Sequence, residues 1–147
     1  MRRASGGSTE ELIVWDERVV VSEDQIDSEH RKLFSIINDL YRIVGEDGDQ
    51  AAIETSYAAM LDYTRTHFQH EEDLMQKRKF GEYADHCQEH QDLIRRLTEL
   101  HNEYRAGRKS AATDLLNFLA SWWLNHIAAF DTRLAEFVRG DKKQHAA

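Results

Sequence analysis

Hydrophobic residues recur along this chain at alternating spacings of four and three, the pattern of helices that bury one face. Four stretches carry such a seam, at about residues 23–44, 50–78, 82–106 and 111–138. Short polar or glycine-containing segments separate them, and the chain contains no proline. The pattern therefore predicts an all-α fold, an up-down-up-down antiparallel four-helix bundle with short connections between neighbouring helices.

Local residues predict where these helices begin and end. Ser22 and Gln25 fit a capping box at the start of the first helix, with Ser22 as the N-cap. Gly107 suits the position just past the third helix, and Ser110 can cap the fourth. Gly140 is expected to end the fourth helix.

The apolar segments before the first helix lack helical periodicity. They read Leu12–Trp15 and Val19–Val21, and we interpret them as an N-terminal arm that covers one end of the bundle. Residues 1–11 are expected to form a flexible tail, residues 12–140 a single domain, and residues 141–147 a second tail.

Composition narrows the function classes. The net charge of -8 argues against a nucleic-acid partner. No apolar run approaches the roughly 18 residues of a membrane-spanning helix, and the N-terminus lacks the apolar core of a signal peptide. With one cysteine, Cys87, an intrachain disulfide is excluded, and we expect a cytoplasmic protein in a reducing compartment.

Every predicted helix places histidine in its hydrophobic seam. Buried polar groups without partners would cost several kcal/mol each, more than a bundle of this size can absorb. At about 1.5 Å per residue, all these groups fall in one layer roughly 10–15 Å from one end of an antiparallel bundle. The seam residues that converge there are His30, His67, Glu71, His86, His90 and His126.

Imidazoles with carboxylates suit iron, zinc or manganese. The zinc-protease pattern H-E-x-x-H and the Glu-x-x-His pairs of ferritin-like bundles are both absent from the seams. Five imidazoles are too many for one tetrahedral zinc and suit two metals bridged by carboxylates. Asp131 lies five residues past His126, about 140° round an ideal helix, so periodicity does not select it.

At this point the sequence resembles the hemerythrins, in particular the bacterial single-domain form. The resemblance covers about residues 12–138, and Trp15-Asp16 looks like the family's N-terminal arm. Each motif is weak alone, but the ordered set is specific. The matching segments are Ile26-Asp27-Ser28-Glu29-His30, His67-Phe68-x-x-Glu71-Glu72, His86-x-x-x-His90 and His126-Ile127-x-x-x-Asp131.

The resemblance implies a non-heme di-iron centre with an oxo or hydroxo bridge. Glu71 and Asp131 would bridge the irons. One iron would also bind three imidazoles and the other two, which leaves one position open for dioxygen. The three belong to His86, His90 and His126, and the two to His30 and His67. Where the family usually has a leucine lining the oxygen pocket, this chain has Trp123, which is expected to narrow that pocket or to be repacked.

The function that the resemblance implies is reversible dioxygen binding for storage or delivery. The alternatives are sensing of oxygen, nitric oxide or redox state through a separate partner, and peroxidase-type activity. An oxygen-consuming or signalling protein is the expected partner, and the oligomeric state stays open. Among the remaining residues, His70, His101 and His145 are expected at the surface or in the tail, and Glu72 and Asp73 on a solvated face.

Overall fold

Four helical rods form the protein in the computed structural model, which describes residues 10–46 and 48–146, with side chains through residue 140. Those residues contain no strand. The first three rods are single helices and the fourth is interrupted once. Their bounds are α1 (Asp24–Gly45), α2 (Gln50–Arg78), α3 (Tyr83–Arg105), α4 (Ala111–His126) and α5 (Thr132–Ala146), with a π-helical turn (Ile127–Asp131) joining α4 to α5.

Each helix packs against two neighbours around a closed ring, α1 against α2, α2 against α3, α3 against α4, and α4 against α1. The hydrophobic seams face inward and fill the centre of this four-helix bundle. Complete burial of one such side chain contributes about 1.5–3 kcal/mol. The fully buried core includes Leu33, Ile37, Met60, Leu93, Leu97 and Leu119.

The fourth rod differs from the regular helix that the sequence predicts. The π-helical turn follows an i→i+5 hydrogen-bonding pattern, and the Thr132 hydroxyl donates to the Ile127 carbonyl oxygen at 2.9 Å. This wider turn brings Asp131 to the buried face that carries His126, with Asp131 Oδ1 3.2 Å from His126 Nε2. A regular helix of 3.6 residues per turn would not place Asp131 on that face.

The predicted end of the fourth rod was wrong. The helix does not stop at residue 138, because α5 continues past Gly140 to Ala146 and includes most of the expected tail. A glycine inside a helix costs only about 1 kcal/mol relative to alanine, which is too little to end it.

The predicted cap of the first helix was also wrong. Ser22 has a positive φ of 62°, and Glu23 is the N-cap, its carboxylate accepting from the Ile26 backbone N–H at 3.0 Å. The Asp27 side chain accepts from the backbone N–H groups of Val21 and Ser22 at 2.9 and 3.0 Å. These bonds turn the chain one residue before the helix begins, so the capping role passes to Glu23.

Two expectations at the connection from α3 to α4 had different outcomes. Gly107 follows α3 with φ of 114°, a conformation that favours glycine. Ser110 precedes α4, but its side chain makes no capping hydrogen bond and instead accepts from Arg108 Nη1 at 3.1 Å.

The N-terminal arm packs on the bundle through α1. Asn38 Oδ1 accepts from the Leu12 and Ile13 backbone N–H groups at 2.9 and 3.1 Å, and Asn38 Nδ2 donates to the Ile13 carbonyl at 2.9 Å. Val19, in a short 3-10 helix, and Ile13 are buried. The arm therefore joins the core, while most of the expected N-terminal tail, residues 1–9, lies outside the described residues. Among the helices described, none is both long and apolar enough to cross a membrane.

Candidate metal centre

Seven polar side chains from all four rods meet inside the bundle. Each is at most 2% exposed, although isolated buried charges of this kind are costly. α1 supplies one of them and each other rod supplies two. They are His30, His67, Glu71, His86, His90, His126 and Asp131.

Three of the imidazoles face one oxygen of each carboxylate. Glu71 Oε1 lies 3.3 Å from His86 Nε2 and 3.2 Å from His90 Nε2. Asp131 Oδ1 lies 3.0 Å from His86 Nε2 and 3.2 Å from His126 Nε2. We call these three imidazoles with the two oxygens the three-imidazole half.

The other two imidazoles face the opposite oxygens of the same carboxylates. Glu71 Oε2 lies 3.0 Å from His67 Nε2, and Asp131 Oδ2 lies 3.0 Å from His30 Nε2. These four residues each offer a donor atom, all within 4.8 Å of one another. We call these two imidazoles with the two oxygens the two-imidazole half. Each carboxylate therefore lies between two clusters of ring nitrogens, with one oxygen facing each cluster.

The converging atoms lack hydrogen-bond partners. In the described part of the chain, twelve buried side-chain nitrogen and oxygen atoms have none, and all but Trp123 Nε1 belong to the seven residues. Their close approaches do not have hydrogen-bonding geometry, as expected for donors arranged around a common point. At about 1–3 kcal/mol per unsatisfied group, leaving these groups without a partner would cost a large part of the usual stability of a domain. The donor set therefore fits bound cations.

Both carboxylates are held in the ionised form. Burial alone would raise the pKa of Glu71, and the charge of Asp131 would raise it further, but His67 and His86 outweigh both and hold the pKa well below its usual range. Burial would likewise raise the pKa of Asp131, and His126 with two other imidazoles lowers it well below normal. Each is thus a permanent anion inside the bundle.

The same anions act on the imidazoles of the metal-free chain. Burial would lower the pKa of His67, but Glu71 and Glu29 raise it to about 10. Burial would also lower the pKa of His86, and Asp131 with Glu71 raises it to about 9. A metal that binds these ring nitrogens would displace their protons.

Three further carboxylates orient the imidazoles from outside the centre. In each case the imidazole Nδ1–H donates to a glutamate on the preceding helix, which leaves Nε2 free to bind a metal. The pairs are His67 with Glu29 at 2.6 Å, His90 with Glu72 at 2.9 Å, and His126 with Glu89 at 3.2 Å.

The sequence analysis missed these three partners. Each adjoins one of the seven residues in the chain, since Glu29 precedes His30, Glu72 follows Glu71 and Glu89 precedes His90. That adjacency was the available signal, but which helix each carboxylate reaches depends on packing. The expectation that Glu72 is solvated was wrong, because its side chain is 26% exposed and hydrogen-bonded.

Two histidines expected at the surface have specific partners. His70 is 48% exposed, and its Nδ1 donates to Glu29 Oε2 at 2.8 Å. His101 was placed wrongly, since it is only 15% exposed, stacks on Tyr57 at 3.9 Å and bonds to Glu54 at 2.8 Å. The side chain of the third, in the C-terminal segment, lies outside the described residues.

Hydrogen bonds to Glu29 fix its charge. Burial alone would raise the pKa of Glu29, but bonds from His67, Gln25 and His70 lower it to about 2. Glu29 is therefore an anion shared between a buried and a half-exposed imidazole.

Trp123 lies against the two-imidazole half. It is completely buried, and its ring centroid lies 5.5 Å from that of His30 and 5.9 Å from that of His67. Its indole N–H has no hydrogen-bond partner. Trp123 therefore fills space beside the half that holds fewer imidazoles.

Other aromatic rings stack on the imidazoles of the three-imidazole half. Trp122 lies parallel to His126 with centroids 4.3 Å apart, and Phe68 lies parallel to His90 at 3.7 Å. These contacts fix ring planes and exclude water, so both aromatic side chains position candidate ligands.

Replacing Glu29 with glutamine is expected to weaken metal binding by about 10–100-fold, the usual effect of losing an outer carboxylate partner of a ligating imidazole. The amide cannot hold the proton on His67 Nδ1 as a carboxylate does. Competition with a chelator of known affinity measures the change. Glu54→Gln, which alters a carboxylate paired with His101 outside the centre, is the matched control and should leave metal affinity unchanged. Equal affinities for both variants would contradict the role of Glu29.

Comparisons with known proteins agree with this arrangement. A family model described as hemerythrin HHE cation binding domain matches residues 21–138. The chain is 30% identical to a bacteriohemerythrin from Stenotrophomonas maltophilia, over 92% of this chain and 87% of the relative. A bacteriohemerythrin from Methylococcus capsulatus is also 30% identical, over 71% of this chain and 79% of the relative.

Solved structures show the same fold. A crystal structure of a hemerythrin with one leucine replaced by alanine superposes with a TM-score of 0.79 at 26% identity, over 87% of this chain and 98% of that one. A leucine-to-tyrosine mutant gives a TM-score of 0.78 at 26% identity, over 86% of this chain and 97% of that one. With its family match, its relatives and its buried cluster of imidazoles and carboxylates, the chain belongs to the hemerythrin family.

Proposed function

We propose that this protein binds dioxygen reversibly at a non-heme di-iron centre and serves in oxygen storage or delivery. Family membership supports an oxygen-binding function at non-heme iron. The observation that carries the proposal is the division of both carboxylates: the two oxygens of Glu71, and likewise those of Asp131, face different clusters of imidazoles. A single metal would not require that division.

The proposed ligand roles follow from the two halves. Glu71 and Asp131 would bind both irons, one oxygen to each. The three-imidazole half offers five protein donors and the two-imidazole half offers four, so the latter has room for an external ligand once an oxo or hydroxo bridge is shared. When bound by the two halves, the iron pair would supply the redox chemistry for reversible dioxygen binding. The imidazole ligands would be His86, His90 and His126 in the first half, and His30 and His67 in the second.

The protein's own contribution is to hold protons in place and exclude water. Glu29 keeps the proton of His67 on Nδ1, away from the centre. Trp123 closes the two-imidazole half, and both bridging carboxylates are at most 2% exposed. A dry site of this kind limits proton access and side reactions.

An optical spectrum tests the function. The protein is reduced without oxygen, exposed to air, and then returned to anaerobic conditions. A visible charge-transfer band that appears with oxygen and disappears on its removal supports an oxygen carrier. Rapid, irreversible conversion to the oxidised protein contradicts carriage and favours sensing or turnover. Addition of peroxide with a reducing dye tests the peroxidase alternative.

Replacing Trp123 with leucine is expected to speed release of dioxygen, because a smaller side chain opens space beside His30 and His67. Stopped-flow mixing of the oxygenated protein with an oxygen scavenger measures the rate. Trp122→Leu is the matched control, since that ring stacks on His126 in the other half. If both variants release oxygen at the wild-type rate, Trp123 does not control access.

A further inference from the structure

A surface cleft of about 370 Å³ lies beside the candidate centre. It lies between α1, α2 and α5. Its polar walls include Glu29, His70 and Asp73, and it reaches Glu71. Of the seven residues of the centre, Glu71 alone lines this cleft.

Glu71 forms an anionic floor for the cleft. It is 2% exposed, and neither of its oxygens has a hydrogen-bond partner. A buried carboxylate without a hydrogen-bond partner at the end of a cleft favours a cation that can reach it.

The charge of the walls points to the same class of ligand. Four carboxylates line the cleft, those of Glu23, Glu29, Glu71 and Asp73, against one guanidinium, that of Arg78. Acidic clefts with low-dielectric walls concentrate cations and raise their association rates. Dioxygen, being neutral, gains nothing from such a lining.

A second cleft shows the contrast. It has a volume of about 470 Å³, lies between α2 and α3 and reaches His90, but Arg65 and Arg95 line it. It is lined by one carboxylate, that of Glu72. Cations would be repelled there, so the two clefts that reach the centre differ in the ions they admit.

Hydrogen bonds link the mouth of the acidic cleft to the two-imidazole half. His70 is 48% exposed and bonds to Glu29 Oε2, while Glu29 Oε1 bonds to the buried His67. Asp73 is exposed beside them. An imidazole and two carboxylates thus line the path between solvent and Glu71.

We propose that this cleft is the route by which divalent metal ions reach the centre, with Asp73 and His70 attracting the ion at the mouth and Glu71 receiving it at the floor. The route rests on the proposed function, because it assumes that Glu71 is a metal ligand.

Metal uptake by the full chain stripped of metal tests the route. Fe²⁺ is mixed with the protein without oxygen, and bound iron is measured against time after quenching with a chelator. Asp73→Asn and His70→Gln are expected to slow uptake at low salt by about three- to tenfold, the effect of removing part of an electrostatic funnel. Salt should slow the variants less than the wild type. Final iron content of Asp73→Asn should match the wild type, since Asp73 belongs neither to the centre nor to the hydrogen bonds around Glu29.

Asp92→Asn is the matched control. Asp92 on α3 accepts from the amide of Gln88, four residues earlier, as Asp73 accepts from that of Gln69, and it lies outside the cleft. The control should load at the wild-type rate. Equal rates for all variants, an equal loss in Asp92→Asn, or reduced final iron content in Asp73→Asn would overturn the route. Failure of the wild type to bind iron would instead overturn the proposed centre, and the route with it.

Discussion

Glu71→Ala is expected to abolish metal binding in both halves of the centre. Glu71 offers one oxygen to each group of imidazoles, so its loss removes a ligand from two sites at once. Loss of an outer partner already weakens metal binding by 10–100-fold, and the loss of a shared ligand should exceed about 100-fold. His67→Ala should be milder, because the three-imidazole half keeps all of its donors. Metal analysis of the purified proteins should therefore rank wild type above His67→Ala and His67→Ala above Glu71→Ala.

The control for this series is Glu99→Ala. Glu99 lies on α3, pairs with Arg96 at 3.1 Å and is about half exposed, so its loss should leave the metal content unchanged. Wild-type metal content in Glu71→Ala would contradict the assignment of Glu71. Circular dichroism of each variant separates a lost ligand from a lost fold.

Removal of the metal is expected to lower the melting temperature by about 8–16 °C. A metal present at about 1,000 times its dissociation constant stabilises the folded chain by about 4.1 kcal/mol. In a domain of this size each kcal/mol shifts the melting temperature by about 2–4 °C. The physical cause is the set of eleven unpartnered nitrogen and oxygen atoms in the centre. Calorimetry before and after treatment with a chelator measures the shift.

Glu71→Ala is also the control for this experiment. A variant that cannot bind metal should melt at one temperature whether or not metal is supplied. If the wild type showed the same melting temperature in both states, the buried donors would have to be satisfied without metal, and the candidate centre would lose its main support.

The sequence predicted the fold and most of the centre because both depend on regular helical spacing. Seam residues such as Leu33, Leu93 and Leu97 are buried where the alternation of four and three places them. His67 and Glu71, one turn apart, meet in the centre for the same reason. Resemblance to the hemerythrins supplied Asp131, which regular spacing alone does not select.

The features that the sequence did not predict depend on local departures from regular helix geometry and on packing between helices. Asp131 reaches the centre only through the π-helical turn. Ser22 is not the N-cap that was predicted, because the Asp27 side chain accepts hydrogen bonds from the backbone N–H groups of Val21 and Ser22. Glu29 and Glu89 act on helices other than their own, and no spacing within one helix shows which neighbour a side chain will reach.

The outer carboxylates link only three of the four pairs of neighbouring helices that the structure describes. Glu29 on α1 holds His67 on α2, Glu72 on α2 holds His90 on α3, and the next such pair joins α3 to α4. Among the described residues the fourth boundary has no counterpart, because His30 Nδ1 on α1 has no hydrogen-bond partner there. Across that boundary the polar contact runs through the centre itself, from Asp131 to His30, beside the Trp123 ring that packs on His30. Without metal, the boundary between α1 and α4 should therefore open first. Amide hydrogen exchange should then be fastest along the π-helical turn.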